Sequence, residues 1–342
     1  MQIAVDVMGG DNAPACNIRG IHQALTDFPH IRKFLLVGDS EIIKRELDHI
    51  EPSMDESRLE LVHASQTITM TDPSSTALRQ KKDSSITVAA GLLKNNQADA
   101  LVSAGHTGAA VAATVVKTRT LEGIERPGIA AVMPTSTGSS FLVLDVGANV
   151  DCKPIHLAQY ALLGEAYSRY ILRTPEPRVG VLSFGGEDQK GNDLTKNAFK
   201  LLKQMPINFI GNIEGHDLFT NDIDVVVCDG FVGNVMLKAC ESLARTMTQI
   251  LKNRMRKSPV RMAGAFLSKN AFRELKELTD HEEYGGAPLL GINGNCIIAH
   301  GSSTPKAVRN AIRVAAEMVE NRVNEHILAK VSSIDWQQLA TD

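Results

Sequence analysis

The sequence predicts an α/β protein of three layers, a mostly parallel sheet covered by helices on both faces, and three observations carry that reading. Short runs rich in Val, Ile and Leu alternate with segments of helical period. Most runs stop at Gly, Asp or Ser, the residues of a tight turn from strand to helix. The chain has 342 residues, enough for a single unit over 1–342, built as one large α/β domain or two interlocked lobes.

Taken in order, IAVDVMGGD (3–11) opens with a strand that delivers Asp6 to its end, and FLLVGD (34–39) and LELVHAS (59–65) follow. The polar segment MTDPSSTALRQKKDSS (70–85) leads into an apolar helix at 88–93, with Asp83 or Ser84 as its cap. ADALVSAGHTGAAVAA (98–113) reads as strand, small-residue turn and helix, and GIAAVMP (128–134) and FLVLDVG (141–147) as two further strands. Pro175 and Pro177 in RTPEPRVG mark the best internal connector, ahead of VGVLSFG (179–185). DVVVCDG (224–230) is a strand buried on both faces that ends at Asp229. After it, Met236, Cys240, Leu243, Met247 and Ile250 recur every three or four positions, which predicts a packed helix running towards Lys257 before Pro259 stops it. CIIAHG (296–301) is the last strand.

In open parallel sheets ligands bind outside the carboxyl ends of the strands. The five turns beginning near Asp6, Ser103, Asp145, Ser183 and Asp229 are therefore expected to converge on one cleft, although each taken singly is an ordinary capped turn.

The net charge of −3 argues against general nucleic-acid binding. Its distribution is uneven: residues 245–276 hold nine basic residues and one acid, a local balance of +8 against −11 for the rest. Such a segment suits an acidic partner or anionic lipid. Five cysteines (Cys16, Cys152, Cys228, Cys240, Cys296), odd in number and without CxxC spacing, read as reduced and buried, which favours the cytosol. The strand pattern starts at Ile3, leaving no room for a leader, and no apolar run is long enough to span a bilayer, so the expectation is a soluble or peripheral protein.

The glycine-rich turns match neither GxGxxG with its distant acid nor GxxxxGK[ST], so a nicotinamide or P-loop enzyme has little support. SAGHTGAA is closer to an anion nest, with Ser103, His106 and Thr107 as donors and Gly105 and Gly108 opening the backbone. Arg79, Lys81 and Lys82 fit either a solvated face or a guide for anions. Lys190 lies in a glycine-flanked loop after a buried strand, and Asp229 ends a neighbouring one. A carboxylate to orient or deprotonate a nucleophile, with a cation to offset charge on a carbonyl oxygen, suits acyl transfer. GxSxG, HExxH and a Cys beside a plausible base are all absent, which disfavours a covalent serine or cysteine mechanism and a zinc site. His300, in IIAHGSS, fits a donor at the cleft or a helix cap equally well.

Together DVMGGD, DPSSTALRQKKDSS, ADALVSAGHTGA, LDVGANVDCKP, KGNDLTK, VVVCDGFVGNVMLK and YGGAPLLGINGNCIIAHGSS closely resemble the bacterial phosphate acyltransferases of phospholipid synthesis, over about residues 3–320. One position departs: the usual family form has Asn where this chain has His106. The resemblance implies a fold akin to the isocitrate and isopropylmalate dehydrogenases and to phosphotransacetylase. It also implies attack of inorganic phosphate on a long-chain acyl-carrier-protein thioester, without nucleotide, cofactor or metal.

Carried over motif by motif, Lys190 and Asp229 are the expected catalytic pair. Ser103, Gly105, His106, Thr107 and Asn234 would bind phosphate, with Asp6, Asn149 and Asp151 as cleft-lining support. The family also favours reading 245–276 as a protruding helical hairpin. Its apolar tip (Met262, Phe266, Leu267) and cations (Arg256, Lys257, Arg261) would meet an anionic membrane or the acidic carrier protein, although packing on the core or a dimer contact is the plainer reading of those apolar residues. The implied setting is a cytoplasmic homodimer on the inner face of the membrane, with a membrane glycerol-3-phosphate acyltransferase as the next user of the product. A hydroxy-acid dehydrogenase of similar fold, needing metal or NAD, and a non-catalytic membrane scaffold are the competing readings.

Overall fold

The structure is a computed structural model that describes residues 1–50, 55–69, 71–73, 78–220, 222–279 and 282–339. Eleven strands among these form one sheet. They are β1 Gln2–Asp6, β2 Lys33–Gly38, β3 Leu59–His63, β4 Ala100–Ser103, β5 Gly128–Pro134, β6 Ser140–Leu144, β7 Arg178–Leu182, β8 Asn208–Ile213, β9 Val225–Val227, β10 Ala287–Leu290 and β11 Asn295–Ile298. Their order across the sheet is β3-β2-β1-β4-β11-β10-β5-β6-β9-β7-β8. Seven of the ten pairings are parallel, so the sheet is mostly parallel, as its alternation with helices predicts. β8 and β10 were not anticipated: β8 is a half-exposed edge strand, and β10 is only four residues long and carries Pro288.

The three antiparallel pairings all lie in the middle, where β10 pairs with β11 and β5, and β5 pairs with β6. They reverse the sheet. β3, β2, β1, β4 and β11 run one way, and β6, β9, β7 and β8 run the other. The strand ends expected to converge on one cleft therefore point two ways: those of β1 and β4 run opposite to those of β6, β7 and β9. Two hairpins make the reversal. In the first, Thr135 N–H donates to the Ser139 carbonyl at 2.9 Å and Gly138 takes φ 85°. The second turns at Gly291 and Gly294, at φ 85° and 143°, where a Cβ would be strained.

A core lies on each face of the sheet. The helix Pro154–Tyr170 is buried along most of its length, with the Tyr160 and Tyr167 rings inside, and covers the half built on β6 and β9. Cys16, Cys228 and Cys296 are buried, whereas Cys152 and Cys240 are half-buried.

The helix Gly230–Met255 behaves differently from its expectation. Only its first turns pack on the sheet, and Leu243, Met247 and Ile250 are more than half exposed, at 59%, 64% and 54%. Met236 and Cys240 of the apolar period pack on the core, whereas among the described residues none covers Leu243, Met247 and Ile250. Two short helices continue it, Pro259–Leu267 and Lys269–Thr279, and Met262, Phe266 and Leu267 are exposed as well. Among the described residues no helix is long and apolar enough to cross a membrane.

Candidate active site

The turn after β4 starts from a buried carboxylate. Asp6 accepts from Ser103 Oγ at 2.7 Å, and the same Oγ accepts from the Gly105 N–H at 3.1 Å. Burial holds the Asp6 carboxyl above the usual carboxylate range, with the hydroxyls of Ser85 and Ser103 and the backbone of Met8 and Gly9 opposing. Asp6 is therefore buried beneath the turn and supports it. A Cβ on Gly9 would come within 2.7 Å of Asp6 Oδ2 and 2.8 Å of the Gly105 nitrogen, so glycine there lets the two turns close on each other.

Beyond Gly105 the chain enters the helix Thr107–Thr118 with His106 as N-cap. His106 Nδ1 accepts from the Ala109 N–H at 3.3 Å, so the ring does what the family's Asn side chain can do: it offers one acceptor to the first turn. The Thr107 and Gly108 N–H groups have no protein acceptor among the described residues. Two free donors at a helix N-terminus, flanked by small residues, form a nest for an oxyanion.

The turn at the end of β6 is closed. Asp145 is fully buried, and its Oδ1 accepts from the N–H groups of Ile129, Gly147 and Ala148 at 2.9, 3.1 and 3.0 Å. Its Oδ2 accepts from Asn149 N–H at 2.7 Å and from Asn149 Nδ2 at 3.4 Å. Burial raises the Asp145 carboxyl, against the four backbone donors that favour its charge. The Asn149 amide also donates to the Pro127 carbonyl at 2.6 Å and to Tyr160 Oη at 2.8 Å. It braces the turn.

Asp229 begins the helix Gly230–Met255. Its Oδ1 accepts from the Phe231 and Val232 N–H groups at 3.0 and 2.9 Å, while Gly230 N–H donates to the Asn149 carbonyl at 2.8 Å and Gly233 N–H to the Asp229 carbonyl at 3.0 Å. All four N-terminal donors of this helix are thus occupied, and it offers none to an anion. Asp229 Oδ2 has no protein donor among the described residues. Gly230 and Gly233 are required by proximity: a Cβ would meet the Asn149 carbonyl oxygen at 2.6 Å or the Asp145 carbonyl oxygen at 1.9 Å.

A cavity crosses the face of the sheet between these turns. Thr107 and His300 stand on its wall with Asn234, Lys238, Glu241 and Tyr284, over an apolar floor that includes Ile129, Ala131 and Ala287. Of the predicted residues it gathers Thr107, Asn234 and His300. His300 Nδ1 lies 2.8 Å from Ser302 Oγ and accepts from the Ser302 N–H at 3.2 Å, so it also closes its own turn. Lys190 and Asp229 stand outside the lining, Lys190 in the loop after β7 and Asp229 just past the end of the adjacent strand β9.

Lys190 is exposed, and its loop is tied to β8 by Asn212 Nδ2, which donates to the Glu187 carbonyl at 2.7 Å and the Lys190 carbonyl at 3.4 Å. Asp151, Arg79 and Lys82 are exposed and outside the cavity. Lys81 is also outside it and donates to Asp72 Oδ2 at 2.6 Å and the Thr67 carbonyl at 2.9 Å, so its charge serves a local loop rather than an anion path. Arg256, Lys257 and Arg261 are exposed beside the apolar tip.

Lys238 and Glu241, absent from the sequence reading, lie four and seven residues beyond Asn234, a helical period that could have found them. Burial, with the carboxylates of Asp229 and Asp145 adding to it, pushes the Cys228 thiol well up, and burial raises Cys152, so neither supplies a thiolate nucleophile.

The family model described as fatty acid synthesis protein matches residues 1–326. A phosphate acyltransferase of Akkermansia muciniphila is 46% identical across 98% of this chain and 97% of that protein. One from Geobacter sp. strain M21 is 48% identical across 97% and 93%. The chain belongs to the phosphate acyltransferase family. As a member it is an enzyme, and the dehydrogenase reading is not favoured. Solved structures show the same fold at low identity. A phosphotransacetylase from Streptococcus pyogenes superposes with a TM-score of 0.63 at 15% identity, covering 95% of this chain and 94% of that one. The 4-hydroxythreonine-4-phosphate dehydrogenase of Klebsiella pneumoniae gives 0.52 at 13%, covering 93% and 99%.

Proposed function

We propose that this phosphate acyltransferase takes its acyl group from a long-chain acyl-carrier-protein thioester and passes it to inorganic phosphate. The observation that carries the reading is the pair of free N–H groups at Thr107 and Gly108 on the rim of a largely apolar cleft, in a chain of this family. Phosphate sits in that nest, with Ser103, Gly105 and His106 shaping it and Asn234 facing it across the cleft. The acyl chain lies along the apolar floor.

A phosphate oxygen attacks the thioester carbonyl, the C–S bond breaks, and the proton lost by phosphate ends on the carrier thiol, leaving acyl phosphate. Asp229 Oδ2 orients or deprotonates the phosphate nucleophile, and the Lys190 ammonium offsets the charge on the carbonyl oxygen. Mixing the protein with acyl-carrier thioester and phosphate, then trapping acyl phosphate with hydroxylamine, tests the reaction; no hydroxamate with intact protein sinks it.

The exposed stripe of Leu243, Met247 and Ile250 supports a homodimer built on this helix. The tip at Phe266 and Leu267, 76% and 84% exposed among Arg256, Lys257 and Arg261, supports docking on the inner face of an anionic membrane, each cation adding on the order of 1 kcal/mol. There the product would pass to a membrane glycerol-3-phosphate acyltransferase for phospholipid synthesis. Replacing Phe266 and Leu267 together by Glu should abolish binding to anionic vesicles and spare turnover of soluble thioester. Equal loss of both would instead point to carrier docking or packing.

A further inference from the structure

We infer that Asp145 is a positioning residue for the transfer step, acting through Asp229. The inference rests on the reading of Asp229 as the reacting carboxylate, and it concerns how that carboxylate is held. Three contacts lead from the Asp145 backbone and turn to Asp229. Asp145 N–H donates to the Cys228 carbonyl at 3.0 Å, one residue before Asp229. Gly233 packs on the Asp145 carbonyl, so closely that a Cβ would come within 1.9 Å. Gly230 N–H donates to Asn149, the residue whose N–H and amide both end on Asp145 Oδ2.

The carboxylate itself gathers five donors from four residues, Ile129, Gly147, Ala148 and Asn149. Only a group that accepts everywhere can do this, because each donor is fixed by the backbone or braced by Tyr160. An amide in its place turns an NH2 group towards one or more of those N–H groups and loosens the turn. The displacement then passes to the N-cap of the helix, where Asp229 sits. Catalysis is sensitive to such shifts because misplacement by about 1 Å can cost on the order of 100-fold. The nest after β4 stands on separate supports, Asp6 and Ser103, and is unaffected.

The test uses the full chain, acyl-carrier thioester and inorganic phosphate. Asp145→Asn should lower kcat about 100-fold while the phosphate KM stays within about threefold, and in an Asp229→Asn background it should cause no further loss. Tyr160→Phe removes the hydroxyl that accepts from Asn149, is milder, and should lower kcat about three- to tenfold, again only when Asp229 is present. It serves where Asp145→Asn does not fold. Equal multiplicative losses with and without the Asp229 carboxylate, or wild-type kcat in a folded Asp145→Asn or Tyr160→Phe protein, overturn the inference. If Asp229→Asn alone keeps wild-type kcat, the reading of Asp229 fails instead, and with it the route by which Asp145 would act.

Discussion

Two strand-to-helix junctions in this molecule share a sequence style and differ in what they leave open. After β4, SAGHTG leads into the helix at Thr107, and after β9, CDGFVGN leads into the helix at Gly230. Both have a small-residue turn, and a polar side chain caps each helix. At the first, the cap serves one N–H and two others stay unpaired. At the second, Asp229 and Asn149 occupy all four. An unsatisfied helix N-terminus attracts an anion, whereas a satisfied one is rigid and repels a second acceptor. The same motif can thus make a binding site or a mount for a reactive side chain, and the hydrogen-bond count of the first turn decides which.

The largest expected effects come from the rigid junction and its neighbour. Lys190→Ala and Asp229→Asn should each lower turnover about a thousandfold without unfolding the protein, which turnover and thermal melts on the same samples would check. Near-normal rates in both would remove chemistry from this edge. Next is the close approach that keeps this junction shut. Gly233→Ala puts a methyl into the Asp145 carbonyl and should cost about 2–4 kcal/mol in denaturant unfolding. Gly264→Ala, with nothing within 4 Å, should instead be neutral or stabilising by up to about 1 kcal/mol. Equal effects at the two glycines would mean that the helix does not depend on that contact.

Smaller effects sharpen the open junction. His106→Asn supplies another cap acceptor, so phosphate KM and kcat should stay within about twofold. A large rise in KM would mean that the imidazole does more than cap. Lys81→Met should leave phosphate KM unchanged, since Lys81 is held by Asp72 and Thr67. Its effect should appear in acid unfolding. The Lys81 ammonium, with the Thr69 N–H and hydroxyl beside it, lowers the Asp72 carboxyl to about 2, below its ordinary 3.8. Their contribution is therefore present above the ordinary value and lost as pH falls through about 2, and the variant should lose the Lys81 share of that acid limb.

The elements of both junctions were legible in the sequence, and their relation was not. Valines and glycines announce the strands and turns, but strand alternation carries no direction, so the reversal made by the hairpins at Gly138 and at Gly291–Gly294 was hidden. His106 could be read as a donor in the nest, while its use as an acceptor depends on where the Ala109 N–H lies. Asp145 in LDVGAN could be read only as the start of a turn, because all of its partners are backbone or Asn149 groups that only the folded turn brings together. Leu243, Met247 and Ile250 keep the helical period that predicts packing, yet they stand exposed among the described residues, because period alone does not say what an apolar face meets.

The division of labour between the two junctions is tested most directly by phosphate saturation curves of His106→Ala and Asp229→Asn, run side by side with saturating acyl-carrier thioester. Loss of the cap loosens the turn that aims the Thr107 and Gly108 N–H groups, and should raise the phosphate KM of His106→Ala about tenfold with kcat nearly retained. Asp229→Asn should show the reverse, a kcat lower by about a thousandfold at an unchanged phosphate KM. An Asp229→Asn enzyme that saturates poorly with phosphate, beside a His106→Ala enzyme with wild-type KM, would contradict the account by placing the anion at the junction described here as closed.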